Sequence, residues 1–421
     1  MAGVATVAIA GGLLAGCSSG GDSADGVTTI SLWARDAQES FMPELVEGFN
    51  ATHDDIKVEV TIISGGEFTQ KFASATAGGS PPDVASMDLV LVPYYAQAGA
   101  LLDLTDRAEA LDYWDDFDTA HINTTKWDGK TIAIPFSAEA SVLYYNKDLF
   151  TAAGLDPEKP PTTWDEVKAA AAKITALGNG NYGFYMSGNA TGGNLFTVTP
   201  YMYAGGADLL TGGADVSNVD FDSQPTIDAL KYLRSMWEAG DMPQDAKSDT
   251  GANFYATFAT GTIGMQGGGA FGILDVIKQD KFDLGVTFLP GATDGSKSSF
   301  AGGDDLVIPA GSKNADAAWE FLKWATDTEA QEKYLADLGT TPVRLSVASG
   351  YYSDIDPRLA TLAAALELGK TPISPDVYPI FNNAGSPWNN LLQQAIFGDG
   401  TVEDAAKTAQ AAAEKLITTG N

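Results

Sequence analysis

The chain has 421 residues, 24 of them basic and 55 acidic, and its formal charge of -31 argues against nucleic acid and against flat adsorption to anionic membranes. A hydrophobic content of 44% excludes disorder for most of the chain, and the length exceeds what one core usually supports, so two lobes are expected. The single cysteine, Cys17, excludes an intramolecular disulfide and a cysteine-rich metal site.

Residues 1–16 are small and apolar and end in Leu14-Ala15-Gly16 before Cys17, and a polar, flexible stretch from Ser18 to Asp25 follows. The apolar run is too short for a standard transmembrane helix. Beyond it, the pattern predicts a strand over 28–33, a polar turn, a helix over 41–49 and a second strand over 57–63. A strand-like run over 82–87 leads to Asp88. Thr163, behind Pro160 and Pro161 and three residues before Glu166, reads as a helix cap. The Gly-rich stretch 261–272 and the pair Gly302-Gly303 adjoin β-like runs, where glycine lets another chain or a ligand approach the backbone closely. Neither has the spacing of a nucleotide-binding loop. A helix is predicted over 314–326, with Ala317, Ala318, Phe321, Leu322 and Ala325 on one side, and an Ala-rich helix over 402–417. Alternating strands and helices imply an α/β layered architecture, and no internal repeat is visible.

The segment ending at Cys17 resembles the lipobox of bacterial lipoproteins. That resemblance implies a signal peptide over 1–16, a lipidated linker over 17–26 and lipid on Cys17. The basic n-region usual in such leaders is missing, which means either a start upstream of Met1 or a trimmed leader. Three further runs carry a second resemblance: Asp128-Gly129-Lys130-Thr131-Ile132-Ala133-Ile134-Pro135 leading into Leu143-Tyr144-Tyr145-Asn146-Lys147-Asp148-Leu149-Phe150; Ala153-Gly154-Leu155-Asp156 with Pro161-Thr162-Thr163-Trp164-Asp165-Glu166; and Ala317-Ala318-Trp319-Glu320-Phe321-Leu322. In content and order they resemble the extracellular solute-binding proteins of family 1, which include maltose-, multiple-sugar- and glycerol-3-phosphate-binding proteins of ABC importers. The resemblance implies a bilobal periplasmic-binding-protein-like α/β fold of type II, with a ligand cleft between the lobes and multiple hinge crossovers. Lobe 1 is expected to comprise 27–134 plus 302–341, and lobe 2 135–301 plus 342–421. It further implies a monomeric lipoprotein outside the cytoplasm, without cofactor, metal or catalysis. Such a protein would capture a carbohydrate, a small oligosaccharide, and deliver it to the permease subunits of an importer.

A sugar presents hydroxyls around its rim and weakly apolar C–H faces, so its site needs planar aromatics together with carboxylates, amides or arginines. Trp33, Arg35 and Asp36 end the first strand, where the family places ligand contacts; the alternatives are a core role for Trp33 and an N-cap for Asp36. Phe68 falls where relatives such as the glycerol-3-phosphate binder carry a contacting tyrosine, and Asp88 where the same relative has a binding glutamate. Phe68 can stack but cannot donate a hydroxyl, and Asp88 has a solvated turn as its competing role. Glu139 follows the crossover over 135–138 and is either a cleft-facing acid or part of a hinge salt bridge. Gly268 would offer a backbone N–H at a helix start and Gly303 one on the return strand, unless both are turn glycines. Trp388 is the leading stacking candidate, with a core position as the alternative, and Arg344 would fork onto hydroxyls or pair with a site carboxylate.

Competing functions are a glycosidase built on Asp88 and Glu139, a ferric-iron binder using Tyr94-Tyr95, Tyr144-Tyr145 and Tyr351-Tyr352, and a surface adhesin. His53 and His121 lie in polar segments that read as exposed. Glycerol phosphate or another anionic solute is opposed by Asp36, Asp88 and Glu139, because a buried anion facing like charge is costly unless cations compensate, and only Arg35 and Arg344 are near.

Overall fold

The computed structural model describes residues 26–212, 217–269, 273–383 and 385–417; Cys17 and its leader lie outside them. In strand β1 (Thr28–Arg35), Ile30, Leu32 and Ala34 are fully buried, while Trp33 and Arg35 alternate onto the other face. Strands β2 (Ile56–Ile63) and β3 (Val84–Asp88) flank β1 in parallel. Parallel neighbours require crossovers, supplied here by the helices Met42–Thr52 and Gly65–Ala77. Met42, Leu45, Val46 and Phe49 recur at helical spacing and form the buried stripe of the first.

A short hairpin, β4 (Lys126–Trp127) and β5 (Lys130–Thr131), turns on Asp128 and Gly129, both at positive φ, as a two-residue turn of Asp-Gly type requires. The long strand β6 (Ile134–Asn146) follows, and Glu139 is its one residue that is not fully buried. Next come β7 (Tyr182–Tyr185), the hairpin β8 (Leu210–Gly212) and β9 (Ser217–Val219), β10 (Ile263–Gly269), β11 (Leu284–Thr287) and β12 (Leu289–Pro290). The last two are β13 (Lys297–Val307) and β14 (Gly369–Lys370).

The main sheet runs β2-β1-β3-β13-β6-β10-β7. Its two long strands serve both halves of the molecule. Residues 134–140 of β6 pair antiparallel with β13, which pairs antiparallel with β3, whereas residues 141–146 pair with β10 and β11. The chain passes the same place a third time where the Ala138 N–H donates to the Thr341 carbonyl at 3.0 Å and Pro342 bridges Ser137. This is the expected bilobal α/β fold. Among the described residues no helix is long and apolar enough to cross a membrane.

Local expectations hold closely. Thr163 caps the helix Trp164–Thr175 by accepting the Glu166 N–H at 3.3 Å, although Glu166 reaches back to the N–H and hydroxyl of Thr162 and not to Thr163. The helices predicted over 314–326 and 402–417 are Ala315–Ala325 and Val402–Ala413.

Candidate binding site

Because β1 and β3 are parallel, Arg35 and Asp88 emerge together at their carboxyl ends, and the β3–β13 register sets Asp304 directly opposite Asp88. The Arg35 Nε and Nη2 both reach Asp304 Oδ1, at 2.9 and 2.7 Å, and Nη1 stands 3.4 Å from Asp88 Oδ2. One cation therefore bridges two carboxylates. Burial alone would lower the Arg35 pKa, but Asp304 and then Asp88 outweigh it and raise it above the ordinary arginine value. Asp88 moves up: burial is the largest cause, Arg35 opposes it and Asp304 adds to it. The other Asp88 oxygen accepts the Val90 N–H at 3.3 Å. Asp36 is exposed and accepts the Gly65 N–H at 3.1 Å, which ties it to the start of the helix Gly65–Ala77; the alternative N-cap role is not its own, since Arg35 takes that place. Trp33 is half-buried on the Arg35 face of β1, so it stays a candidate.

Deeper along the crossing strands, Glu139 pairs in register with Gly302 and Ala138 with Gly303. Gly303 has φ 126, and a Cβ there would collide with the Ser137 carbonyl, so glycine is required for two backbones to pass this closely. A Cβ on Gly302 would run into the ring of Phe196, which comes from the helix Gly193–Thr197 and lies 4.7 Å from Phe300 between centroids. On the far side, Tyr255 accepts the Gly269 N–H at 3.0 Å and donates to its carbonyl at 3.2 Å. Burial first, and the nearby charge of Glu139 second, push the Tyr255 hydroxyl pKa up. Phe196 and Tyr255 are half-buried aromatics placed around Glu139, and reading the sequence missed both. It also missed Asp304, although the flagged Gly302-Gly303 pair precedes it; an acid after paired glycines in a strand was the available signal.

Four expected site residues stand elsewhere. Phe68 is completely buried, stacked parallel to Phe72 one helical turn on, so its helix spends that face on the core. Trp388 is also fully buried, with centroids 5.3 Å from Phe381 and 5.9 Å from Phe221, and presents no face to a ligand. Arg344 is buried: it donates to Asp116 at 2.6 Å and to the Thr326 carbonyl at 3.2 Å, and lies 4.3 Å over the Tyr113 ring, so it pairs with no site carboxylate. Gly268 lies within β10 opposite Val142, not at a helix start, and a Cβ there would press on Tyr144 at 2.9 Å.

Tyr94-Tyr95 and Tyr144-Tyr145 do not assemble an iron site; the side chains of Tyr351-Tyr352 lie outside the described residues. The Tyr144 hydroxyl bonds the Gly269 carbonyl whereas Tyr145 bonds that of Pro157, as alternation along a strand dictates; Tyr95 bonds the Thr69 carbonyl while Tyr94 is exposed. His121 is not exposed but completely buried, whereas His53 stacks on Phe49 at 3.9 Å.

A profile of bacterial extracellular solute-binding proteins matches residues 44–361. The diacetylchitobiose binding protein DasA of Streptomyces coelicolor is 27% identical over 437 residues, covering 98% of each protein. The GacH receptor of Streptomyces glaucescens, solved without ligand and with acarbose, is similar at TM-score 0.80 and 27% identity, over 94% of this chain and all of its own. The cyclic alpha-maltosyl-1,6-maltose binding protein of Arthrobacter globiformis gives TM-score 0.80 at 26% identity, over 93% of this chain and 99% of its own.

Proposed function

Since the chain belongs to the bacterial extracellular solute-binding proteins, we propose that it captures a neutral carbohydrate, a small oligosaccharide, between its lobes and hands it to the permease of an ABC importer. The observation that carries this reading is the commitment of Arg35 to two carboxylates. With that charge already shared, the cleft offers acceptors, Asp36, Asp88, Glu139 and Asp304, beside the half-buried rings of Trp33, Phe196 and Tyr255. Hydroxyls donate to carboxylates, and C–H faces lie on rings. An anion such as glycerol phosphate would meet those acids, and of the two arginines expected to compensate it Arg35 is engaged and Arg344 stands outside the site. Asp88 is likewise tied to Arg35, and the pair Asp88 and Glu139 holds ligand without turning it over.

The same reading assigns lobe 1 to 27–134 with 302–341 and lobe 2 to 135–301 with 342–421. The change of partner inside β6 and the passage at Thr341 support crossovers close to these limits. Closure about them is a hinge motion that a ligand touching both lobes favours by its differential affinity. Cys17 would carry the lipid that holds the otherwise monomeric protein at the outer face of the membrane; Cys17→Ser should release it from the membrane fraction.

A thermal-shift panel of diacetylchitobiose, maltotriose, mannobiose, mannotriose and acarbose tests the ligand class, with glycerol 3-phosphate as the anionic control. At least one sugar should raise the melting temperature and glycerol 3-phosphate should not. A shift by the phosphate alone would overturn the reading.

A further inference from the structure

Under the floor of the cleft lies a buried polar cluster that ligand recognition does not use. His121, in the short helix Thr119–Thr124, is completely buried, with Nε2 2.8 Å from the Gly302 carbonyl and Nδ1 3.0 Å from Asp118 Oδ2. A carbonyl oxygen can only accept. Asp118 Oδ2 already accepts the N–H groups of Ala120 at 2.9 Å and His121 at 3.3 Å, as an ionised N-cap does. Burial would raise the Asp118 pKa, but the His121 bond and these amides hold it below the usual carboxylate value. Both ring nitrogens thus face acceptors, and a ring that donates from both is an imidazolium.

We propose that His121 is a positioning residue: held as an imidazolium, it pins β13 at Gly302, opposite Glu139, so that its titration governs how firmly the floor of the cleft is held. The role in capture rests on the cleft reading above; the pinning itself does not. Gly302 sits between Phe300, which supports Phe196, and Gly303-Asp304, which leads to Arg35 and Asp88. One charge-assisted bond to its carbonyl therefore reaches the aromatic and the acidic sides together. The charged groups facing the ring are Asp118 on its own helix and Asp305 on β13, and Asp305 in turn feels Asp304 and Asp88. Asp305 is completely buried; its Oδ2 lies 3.3 Å from the Thr124 hydroxyl and its Oδ1 has no partner. Thr124 has a closer acceptor, the His121 carbonyl at 2.7 Å, which leaves Asp305 short of donors and favours its protonated form. Burial pushes the Asp305 carboxyl up to about 7, so the cluster holds one firm positive charge on the ring and one acid that titrates near neutrality.

Two measurements on the sugar-free protein decide this. Ring nitrogen-15 shifts of the two histidines, assigned with a His53→Gln variant, should show His121 protonated on both nitrogens at pH 7. Amide exchange over 302–305, corrected for its intrinsic pH dependence, should lose protection in step with deprotonation of that ring. In His121→Gln the same amides should exchange roughly ten- to a hundredfold faster, the worth of one charge-assisted hydrogen bond, without the pH step. Asp118→Asn, which keeps the ring, should move the step to lower pH. A neutral His121 at pH 7, or exchange over 302–305 indifferent to its titration, would overturn the proposal. Neither readout uses sugar, so failure of the carbohydrate panel would bring down the cleft reading and leave this test standing.

Discussion

Arg35 and Arg344 each grip an aspartate at short range, but they are completed differently. Arg344 meets one carboxylate, Asp116, and its remaining surface is taken up by the Thr326 carbonyl and the Tyr113 ring. Arg35 is shared between Asp88 and Asp304; Asp304 is buried, while Arg35 and Asp88 are partly open to solvent, 19% and 22% exposed. The aromatics divide in the same way: Trp388 is sealed between Phe221 and Phe381, whereas Phe196 rests on Phe300 with part of its ring uncovered. A closed set of partners holds a fold, and a set with acceptors and ring faces left over is available to a ligand.

The largest expected effect is on the closed side. Trp388→Ala removes a fully buried indole and should cost about 3–5 kcal/mol of stability, measured by chemical denaturation, while the folded variant keeps near-parental affinity for its sugar. Collapse of affinity with stability intact would break the division. Next is pH, because β13 and the short helix packed on it carry the buried Asp305 and His121. Asp305 has its folded pKa raised to about 7, so between about 4 and 7 the folded chain holds a proton that the unfolded one has released. Stability from this group therefore falls as pH rises through that window. His121 is also raised, its contribution being present below about 6.5 and lost as pH rises through its folded value. Both act in one direction, and the Asp305 part alone is on the order of a few kcal/mol. The melting temperature should be higher near pH 5 than at pH 8, and Asp305→Asn should flatten that difference; equal melting at both values would remove the buried acid from the account.

Removing either arginine separates the two sites further. Arg344→Ala strands Asp116, 24% exposed, and removes the bond to the Thr326 carbonyl, and should cost about 2 kcal/mol of stability with affinity kept. Arg35→Ala leaves Asp88 and the buried Asp304 to repel each other, and should cost about 3 kcal/mol of stability and abolish most sugar binding as well. Calorimetric melting beside isothermal titration would show whether both variants lose stability while only Arg35→Ala loses binding. The smallest effect is at a single ligand contact: Asp88→Asn should weaken capture by roughly ten- to a hundredfold, the worth of a hydrogen bond to a charged group, about 1.5–3 kcal/mol. Unchanged affinity in titration calorimetry would remove Asp88 from the site.

Much of this architecture is legible in the residues alone. The strand that becomes β1, the helical stripe of Met42–Thr52 and the Thr163 cap are local, and each appears where the pattern places it. The strand-end acids are legible too, because the carboxyl end of a parallel strand faces the crevice wherever the sheet is wound. What misled were single aromatic and basic residues. Phe68, Trp388 and Arg344 have the right chemistry for a sugar, but an aromatic residue suits a core and a cleft equally, and an arginine suits a ligand and an internal aspartate equally. Sequence position does not say which surface will close over them.

By itself the sequence determined the layered α/β order, which follows from local periodicity, and the family, which its motif runs carry. Only the tertiary structure decided that Asp304 would stand across from Asp88, that Phe196 would lie on Gly302, and that His121 would be buried 181 positions from the carbonyl it bonds. Those pairings all involve β13, which runs between β3 and β6. Register between strands so far apart in the chain is fixed by packing of the whole sheet, which no local pattern encodes.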